Sequence, residues 1–336
     1  MALARHKQVS IIATPYYHCI SRCVRRAYLC GVDKTTGVNY EHRRIWVEKR
    51  LLELPKIFAI EVCAYAVMHN HTHSLLHVKT DQAESWTTLE VLWRWHQIFK
   101  GTVLTRKYAK DGAQSLTKTE QEAVIATAEV YRGRLSCISW FMRVLNEGIA
   151  RKANREDNCT GRFWEGRFKS QALLDNSAIL ACMVYIDLNP LRAGVCKTLG
   201  DSKYTSIFHK LNAASTGKTF SKLKIFSKND SSDFTLDTIA YIDLVQNTAD
   251  CFIDKLNDKT ARAIHENSLL GQLGFENTKW LELTNSFEEF FRGPVGCESS
   301  ITKYAKLQNH KRRPNLTQAK YFMNEQKPLD AHLNIA

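Results

Sequence analysis

The sequence predicts an α+β protein whose strand-containing part is followed by a smaller helical region. Three observations carry this prediction. The residues after Pro15 alternate as in a strand, and 60–68 and 71–78 are short stretches of strand length. Most other apolar residues recur at helical spacing. After residue 200 the composition shifts to Ser, Thr, Lys and Asn, and helical spacing then returns.

Each element follows from its own pattern. The alternating residues from Tyr17 to Arg22 predict the first strand, 60–68 the second and 71–78 the third. Helical spacing predicts, in order, helices at 40–54, 84–100, from Thr117, from Ser136, at 179–189 and from Trp280 to Phe291. Thr117 opens a Thr-x-x-Glu capping box, and a proline follows or ends three of the helices.

We expect these elements to form two domains. The first spans 1–207 and contains a helical insertion at about 84–155. A linker at 208–234 joins it to a helical domain at 235–336 that is a candidate for DNA binding. The basic run HKRRP at 310–314 lies in that second domain, and it is either a DNA contact or a solvated segment.

Composition limits the class of protein. The net charge is +13, which favours a polyanionic partner such as nucleic acid, although solubility alone could also explain it. The ten cysteines form no Cys-x-x-Cys pair, so we expect reduced thiols rather than zinc fingers or disulfides. No apolar run approaches eighteen residues, and no secretory signal opens the chain. We therefore expect a cytoplasmic protein that does not enter membranes.

Four histidines cluster in AVMHNHTHSLLHV, residues 66–78. If 71–78 is a strand, His71, His73 and His77 share one face because side chains alternate with a period of two. Neutral imidazoles bind divalent metals, so His71 and His73 are candidate ligands with room left for other ligands. Taken alone, a His-x-His pair is equally compatible with a strand that binds no metal.

A second candidate pair lies in the helix at 179–189. Tyr185 and Asn189 are four residues apart and therefore share a helical face. Asn189 could offer a carbonyl oxygen to a metal, and Tyr185 could act as a phenolic nucleophile. The alternatives are a core aromatic for Tyr185 and a helix stop for Asn189-Pro190.

Three motifs in order, AYAVMHNHTHSLL, GRFWEGRFKS and YIDLNPLRAGV, resemble the single-tyrosine HUH transposases, especially the REP-associated branch. The resemblance covers roughly residues 10–207, and the early strand around His18 and Arg22 is similar too. It implies a ferredoxin-like antiparallel sheet with packed helices, the HUH endonuclease fold, with the histidine strand central. The tyrosine helix would pack beside that strand.

The same resemblance implies roles for individual residues. His71 and His73 would bind Mg²⁺ or Mn²⁺, Tyr185 would be the nucleophile, and Asn189 would complete the metal shell. The chain departs from the family at Thr72, where a bulky apolar residue is usual, and at His69. We interpret His69 and His77 as neighbours of the site rather than ligands.

Basic and aromatic residues beside these motifs are candidate DNA contacts, because cations bind phosphates and aromatic rings stack on bases. The alternative is an ordinary strand with one solvated basic face. The candidates are Arg22, Arg25, Arg26, Arg162, Trp164, Arg167 and Lys169.

These features together predict a transposase that nicks single-stranded or hairpin DNA and rejoins it through a 5′-phosphotyrosine intermediate. We expect it near the nucleoid as a monomer or homodimer. One alternative is a metal phosphodiesterase that uses water, with a structural Tyr185. Another is a domesticated DNA-binding regulator without turnover. A replication initiator or relaxase is disfavoured, because one tyrosine lies in the matching motif and no helicase segment follows.

Overall fold

A computed structural model describes residues 9–24, 29–33, 36–216, 223–225, 234–254, 270 and 275–323. Its strands are β1 (Tyr16–Arg22), β2 (Ile60–Val67), β3 (His71–Val78), β4 (Lys169–Leu173), β5 (Leu223–Ile225) and β6 (Phe234–Leu236). The helices of the first part are α1 (Arg43–Glu53), α2 (Thr80–Ser85), α3 (Thr88–His96), α4 (Val103–Asp111), α5 (Lys118–Leu135), α6 (Ile138–Glu156), α7 (Asn176–Asp187), α8 (Asn189–Arg192) and α9 (Ser206–Ser215). Those of the last part are α10 (Thr238–Asp254), α11 (Asn277–Phe290), α12 (Glu298–Leu307) and α13 (Leu316–Phe322).

Four strands form an antiparallel sheet in the order β2-β3-β1-β4. Strand β3 lies between β2 and β1, and β4 pairs with the other edge of β1. With α1 crossing between β1 and β2, this is the ferredoxin-like arrangement, so the predicted fold class and the central position of the histidine strand are confirmed.

The helices between β3 and β4 occupy the stretch in which an insertion was expected. Helices α3, α4 and α5 pack on one another, and α6 packs on α1. Thr117 accepts a hydrogen bond from the Glu120 backbone and the Glu120 side chain accepts one in return, as the sequence motif predicted. The predicted helix at 84–100 is interrupted, because Trp86 has an extended backbone between α2 and α3.

Helix α7 is buried at all twelve of its positions. A helix that is apolar on every side must be covered on every side. The sheet covers one side, and helices α10 and α11 contribute Tyr241, Leu244 and Phe287 to the same apolar cluster. The region after residue 235 therefore packs directly on the tyrosine helix.

The stretch predicted to be a linker contains regular structure where it is described. Helix α9 covers its beginning, and β5 pairs with β6 in a two-stranded antiparallel sheet across it. The Ser- and Thr-rich composition predicted a loop because such residues favour turns, whereas the short strand segments are apolar only at alternate positions.

Candidate active site

The predicted metal ligands lie on one face of the central strands. On β1 the residues opposite His77, Leu75 and His73 are Tyr16, His18 and Ile20. Residues paired across a sheet point to the same side, so His18 joins His71 and His73 on this face, which α7 covers. The strand alternation predicted from the sequence is confirmed.

A chain of hydrogen bonds sets the proton positions on these histidines. Gln171 on β4 donates from Nε2 to the Phe291 carbonyl at 2.5 Å, which turns its Oε1 to His18 Nδ1 at 3.3 Å. His18 then carries its proton on Nδ1, and its Nε2 accepts from His73 Nδ1 at 3.0 Å. The lone pair of His73 is therefore on Nε2.

The Nε2 edge of His73 faces Asn189. The Asn189 amide nitrogen Nδ2 donates to His73 Nε2 at 3.0 Å. If the amide were turned by 180°, its oxygen would take the place of Nδ2, and two ligand atoms at about 2.1 Å from one octahedral ion are about 3 Å apart. The structure therefore brings His73 and Asn189 together, and the role of Asn189 as a metal ligand stays a prediction.

His71 is the neighbour of His73 on the same face, with ring centroids 4.8 Å apart. Its Nδ1 is bonded to Asn70 Oδ1 at 2.6 Å, which leaves Nε2 as the nitrogen with a lone pair. Burial, and then the charge of Arg22, lower the pKa of His71 to about 4. Burial also lowers the pKa of His73 well below its ordinary value. Both rings are thus neutral at physiological pH, as metal ligands must be.

A second possible metal-binding group uses Nδ1, on the opposite edge of the His73 ring. Ligand atoms of His18, His73 and Glu288 all lie within 4.8 Å of one another, and this buried His-His-Glu cluster could hold a metal ion. Because a neutral imidazole has one lone pair, His73 can serve only one of the two arrangements at a time. The hydrogen bonds from Gln171 and His18 favour the edge that faces Asn189.

Tyr185, on helix α7, lies beside the same group of side chains. Its hydroxyl donates to Glu288 Oε1 at 3.1 Å, and that oxygen is 3.3 Å from His73 Nδ1. The Arg192 guanidinium lies 4.1 Å from the centroid of the tyrosine ring, and Phe287 stacks on the ring at 5.5 Å. Burial, and then the Glu288 carboxylate, raise the pKa of Tyr185, whereas Arg192 opposes the shift.

Sequence reasoning missed His18 as a participant and Glu288 altogether. The helical spacing of the apolar residues in α11 indicates a core-facing helix, as Trp280 and Leu283 are, but it does not indicate that the last turn reaches Tyr185. Ser286 has non-helical angles, φ −129° and ψ 35°, and kinks the helix just before that turn. The sequence signal for this cover was that α7 is apolar on every side, because such a helix must be covered by other elements.

Two of the predicted DNA contacts lie at the open end of the site face. Arg22 is paired with His71 across the strands, and Lys169 is paired with Ile20 on the other side of β1. Both side chains are exposed. They place two cations on the face that carries the candidate metal ligands.

The other predicted DNA contacts are arranged differently. Arg162 and Arg167 are exposed, but Trp164 is half-buried and donates its indole N–H to the Asn146 carbonyl at 2.8 Å. Trp164 thus packs at the end of the sheet. Arg25 and Arg26 lie outside the described residues.

The remaining two histidines of the cluster have other contacts. His77 stacks on Tyr16 with ring centroids 4.2 Å apart and lies 3.7 Å from a Glu61 carboxylate oxygen. His69 packs against Gly31, where a side chain would come within 2.7 Å of the imidazole. Neither ring belongs to the His18, His73 and Glu288 group found among the described residues, and His71 does not belong to it either.

The chain is similar to one solved transposase structure. That structure is of a REP-associated tyrosine transposase bound to a REP hairpin, and the alignment covers 70% of this chain and 100% of that one. The identity is 12% and the TM-score 0.36. No family model and no curated protein matches the sequence.

Among the residues that the structure describes, no helix combines the length and the apolar character needed to cross a bilayer.

Proposed function

We propose that this chain is a metal-dependent single-strand DNA endonuclease and transposase that works through a 5′-phosphotyrosine at Tyr185. The supporting observation is the convergence of distant residues. Tyr185 on α7, Asn189 on α8 and His73 on β3 lie around one point, with Asn189 and the Tyr185–Glu288 pair on opposite edges of the same imidazole. A nucleophile beside imidazole and amide ligands suits phosphoryl transfer.

The reaction is a balanced exchange at phosphorus. The Tyr185 phenolic oxygen forms a bond to the scissile phosphorus and loses its proton. The 3′-oxygen leaves with the electron pair and takes up a proton. The product is a 5′-phosphotyrosine and a free 3′-hydroxyl. The reverse attack by a 3′-hydroxyl rejoins strands, so no nucleoside triphosphate is required.

The candidate ligands for Mg²⁺ or Mn²⁺ are His71, His73 and Asn189. When bound, the ion supplies Lewis-acid stabilisation of the phosphate oxygens. The chain itself supplies the rest. Gln171 and His18 hold His73 in the tautomer whose lone pair faces Asn189, and Arg192 holds the ring of Tyr185 from one side.

Because the Tyr185 hydroxyl is covered, part of the protein must move before DNA can be cleaved. Tyr185 is 7% exposed, and its hydroxyl is bonded to a carboxylate that repels an incoming phosphate. For DNA to reach the phenol, Glu288 must leave it. The kink at Ser286 separates the turn that carries Phe287 and Glu288 from the rest of α11, so this turn is the segment that we expect to move.

Hairpin or palindromic DNA is the proposed substrate. The net charge of +13 favours a polyanion, and Arg22 and Lys169 flank the site face. The structurally similar transposase is bound to a REP hairpin, and we extend that partner class to this chain as part of the proposal.

The test uses labelled single-stranded hairpin oligonucleotides, Mn²⁺, a denaturing gel and peptide mapping. We expect a covalent band on Tyr185 that disappears in Tyr185→Phe. Tyr241→Phe is the matched control, because Tyr241 is also buried and also donates to a carboxylate, Asp187, at 2.6 Å. Its covalent band should remain.

Two results would favour the alternatives. Nicking that persists in Tyr185→Phe would support a phosphodiesterase in which water attacks. Hairpin binding by the wild type without any covalent adduct would support a DNA-binding regulator.

A further inference from the structure

We propose that the surface formed by residues 298–323 is a duplex DNA-binding site, separate from the catalytic pocket, that holds the paired stem of the substrate. We call it the 298–323 surface. It consists of α12, α13 and the loop that joins them. The inference rests on the proposed function for the identity of the substrate, and its own observations are charge, loop geometry and position.

The charge of this surface is strongly one-sided. It has six basic residues against one acid, Glu298, and so carries +5 of the total +13 in less than a tenth of the chain. All six side chains are exposed: Lys303, Lys306, Lys311, Arg312, Arg313 and Lys320. Arg313 and Lys320 both reach Glu298, at 3.7 and 3.2 Å, which shows that the loop and α13 present their cations on the same side.

The loop that carries three consecutive cations is anchored at both ends. Asn309 and Asn315 adopt left-handed backbone angles, φ 50° and 57°, which asparagine tolerates better than most residues. The His310 backbone N–H donates to the Ala305 carbonyl at 2.9 Å, and the Asn315 amide donates to the Pro294 carbonyl at 3.0 Å. A loop fixed in this way presents its charges with little loss of entropy on binding.

The surface is tied to the helix that carries Tyr185. Val295 exchanges backbone hydrogen bonds with Ala172 and Leu174 at the end of β4, at 2.9 and 2.8 Å. The Asp175 carboxylate then binds both neighbours: Oδ1 accepts from the Ala178 N–H of α7 at 3.0 Å, and Oδ2 from the Cys297 N–H at 2.7 Å. DNA held on the 298–323 surface would thus stand at a fixed position relative to Tyr185.

Duplex DNA fits this surface better than a single strand or a membrane. A single-strand site needs aromatic platforms for the bases, and among the described side chains of this surface Tyr321 is the one exposed aromatic. A membrane site needs a broad apolar face, whereas the apolar residues Ile301 and Phe322 are buried. Cations on two helices and a fixed loop suit the phosphates of a duplex, which position a protein without reading sequence.

The experiment measures binding of the full-length chain to a fluorescent, nick-free duplex by anisotropy, in EDTA and over a range of salt concentrations. The test variant is the triple substitution Lys311→Gln, Arg312→Gln and Arg313→Gln. We expect its affinity to fall about ten- to a hundredfold. The slope of log affinity against log salt should decrease by about one for each phosphate that the variant no longer neutralises.

The matched control removes the same charge elsewhere, by Lys107→Gln, Lys110→Gln and Lys118→Gln on the insertion, where all three lysines are exposed. It should bind the duplex like the wild type. Equal weakening of both variants would overturn the proposal, because net charge alone would then explain binding. Equally tight binding of poly-glutamate in competition would overturn the assignment to DNA.

Duplex binding in EDTA requires neither metal nor cleavage. A chain that forms no Tyr185 adduct but shows the loop-dependent binding would refute the nuclease and leave this site standing. A chain that forms the Tyr185 adduct but binds the duplex equally well without the loop cations would support the nuclease and refute the proposed duplex-binding site.

Discussion

The two faces of the central sheet differ although they come from the same strands. On one face of β3, Leu76 and Val78 pack with Tyr17 and Cys19 into an apolar core. On the other, His71 and His73 meet His18, Asn189 and Glu288. Both faces bury apolar side chains, but the second also buries a group of histidines, whose loss of hydration offsets part of the stability gained.

The face that carries His71 and His73 is called the polar face here. Burying its polar side chains costs free energy. Buried polar groups are tolerated when each has a partner, and the chain from Gln171 through His18 to His73 and Asn189 provides partners in sequence. An apolar filling of the same space would pack without such a network. The polar face is therefore where substitutions should change chemistry, and the apolar face where they should change stability.

The largest expected effect contrasts one substitution on each face. His73→Ala removes the imidazole between Asn189 and Glu288 and should reduce the rate of adduct formation by at least about a thousandfold, the loss typical of a key catalytic group. Leu76→Ala should lower the free energy of unfolding by about 2–5 kcal/mol while the folded fraction keeps its rate. Single-turnover gels and denaturant titrations measure the two quantities. Equal rate losses in both variants would contradict the division between the faces.

A smaller effect is expected at the start of the hydrogen-bond chain. Gln171→Leu leaves His18 Nδ1 without its acceptor, so the tautomer of His73 is no longer fixed. We expect the affinity for Mn²⁺ to fall about 10- to 100-fold, as when outer partners of ligating histidines are removed. Titration calorimetry measures this without any cleavage. An unchanged affinity would show that the His73 tautomer is set in another way.

The smallest effect lies at the edge of the polar face, at Glu61. His77 at 3.7 Å, together with the Lys79 ammonium at 2.6 Å, lowers the pKa of Glu61 to about 2. A depressed carboxyl pKa adds stability above the unfolded value, and that stability is lost as the pH falls from about 4.5 toward 2. Glu61 is half-exposed, so we expect less than about 1 kcal/mol.

The measurement is the free energy of unfolding at pH 7 and pH 3. Glu61→Gln should be less stable than wild type at pH 7, and the difference should shrink at pH 3. A difference that is independent of pH would assign the effect to packing instead of charge.

Much of this site could be predicted from local patterns. The alternation of β3 placed His71 and His73 on one face, because successive side chains of a strand point to opposite sides. The four-residue spacing of Tyr185 and Asn189 placed both toward His73, at a 5.7 Å ring distance and a 3.0 Å contact. These are short-range geometric rules, and a sequence contains them directly.

Other features were beyond local patterns. Glu288 is 103 residues from Tyr185 and Gln171 is 153 residues from His18, and no periodicity links either pair. The apolar residues of α11 did not indicate which helix they would cover, because the hydrophobic effect is not directional and does not select one apolar partner over another. Local patterns also gave no indication that residues of α10 and α11 share an apolar cluster with α7.

The amino-acid order alone predicts the strand and helix types, the faces on which the histidines, Tyr185 and Asn189 lie, and the basic character of the 298–323 surface. The folded chain is needed to know which nitrogen of His73 carries the lone pair, and that a glutamate from α11 holds the Tyr185 hydroxyl. The physical reason is that the periodicity of a helix or strand fixes the direction of its side chains only within that element. Hydrogen bonds between elements depend on how the chain brings distant residues to within about 3 Å.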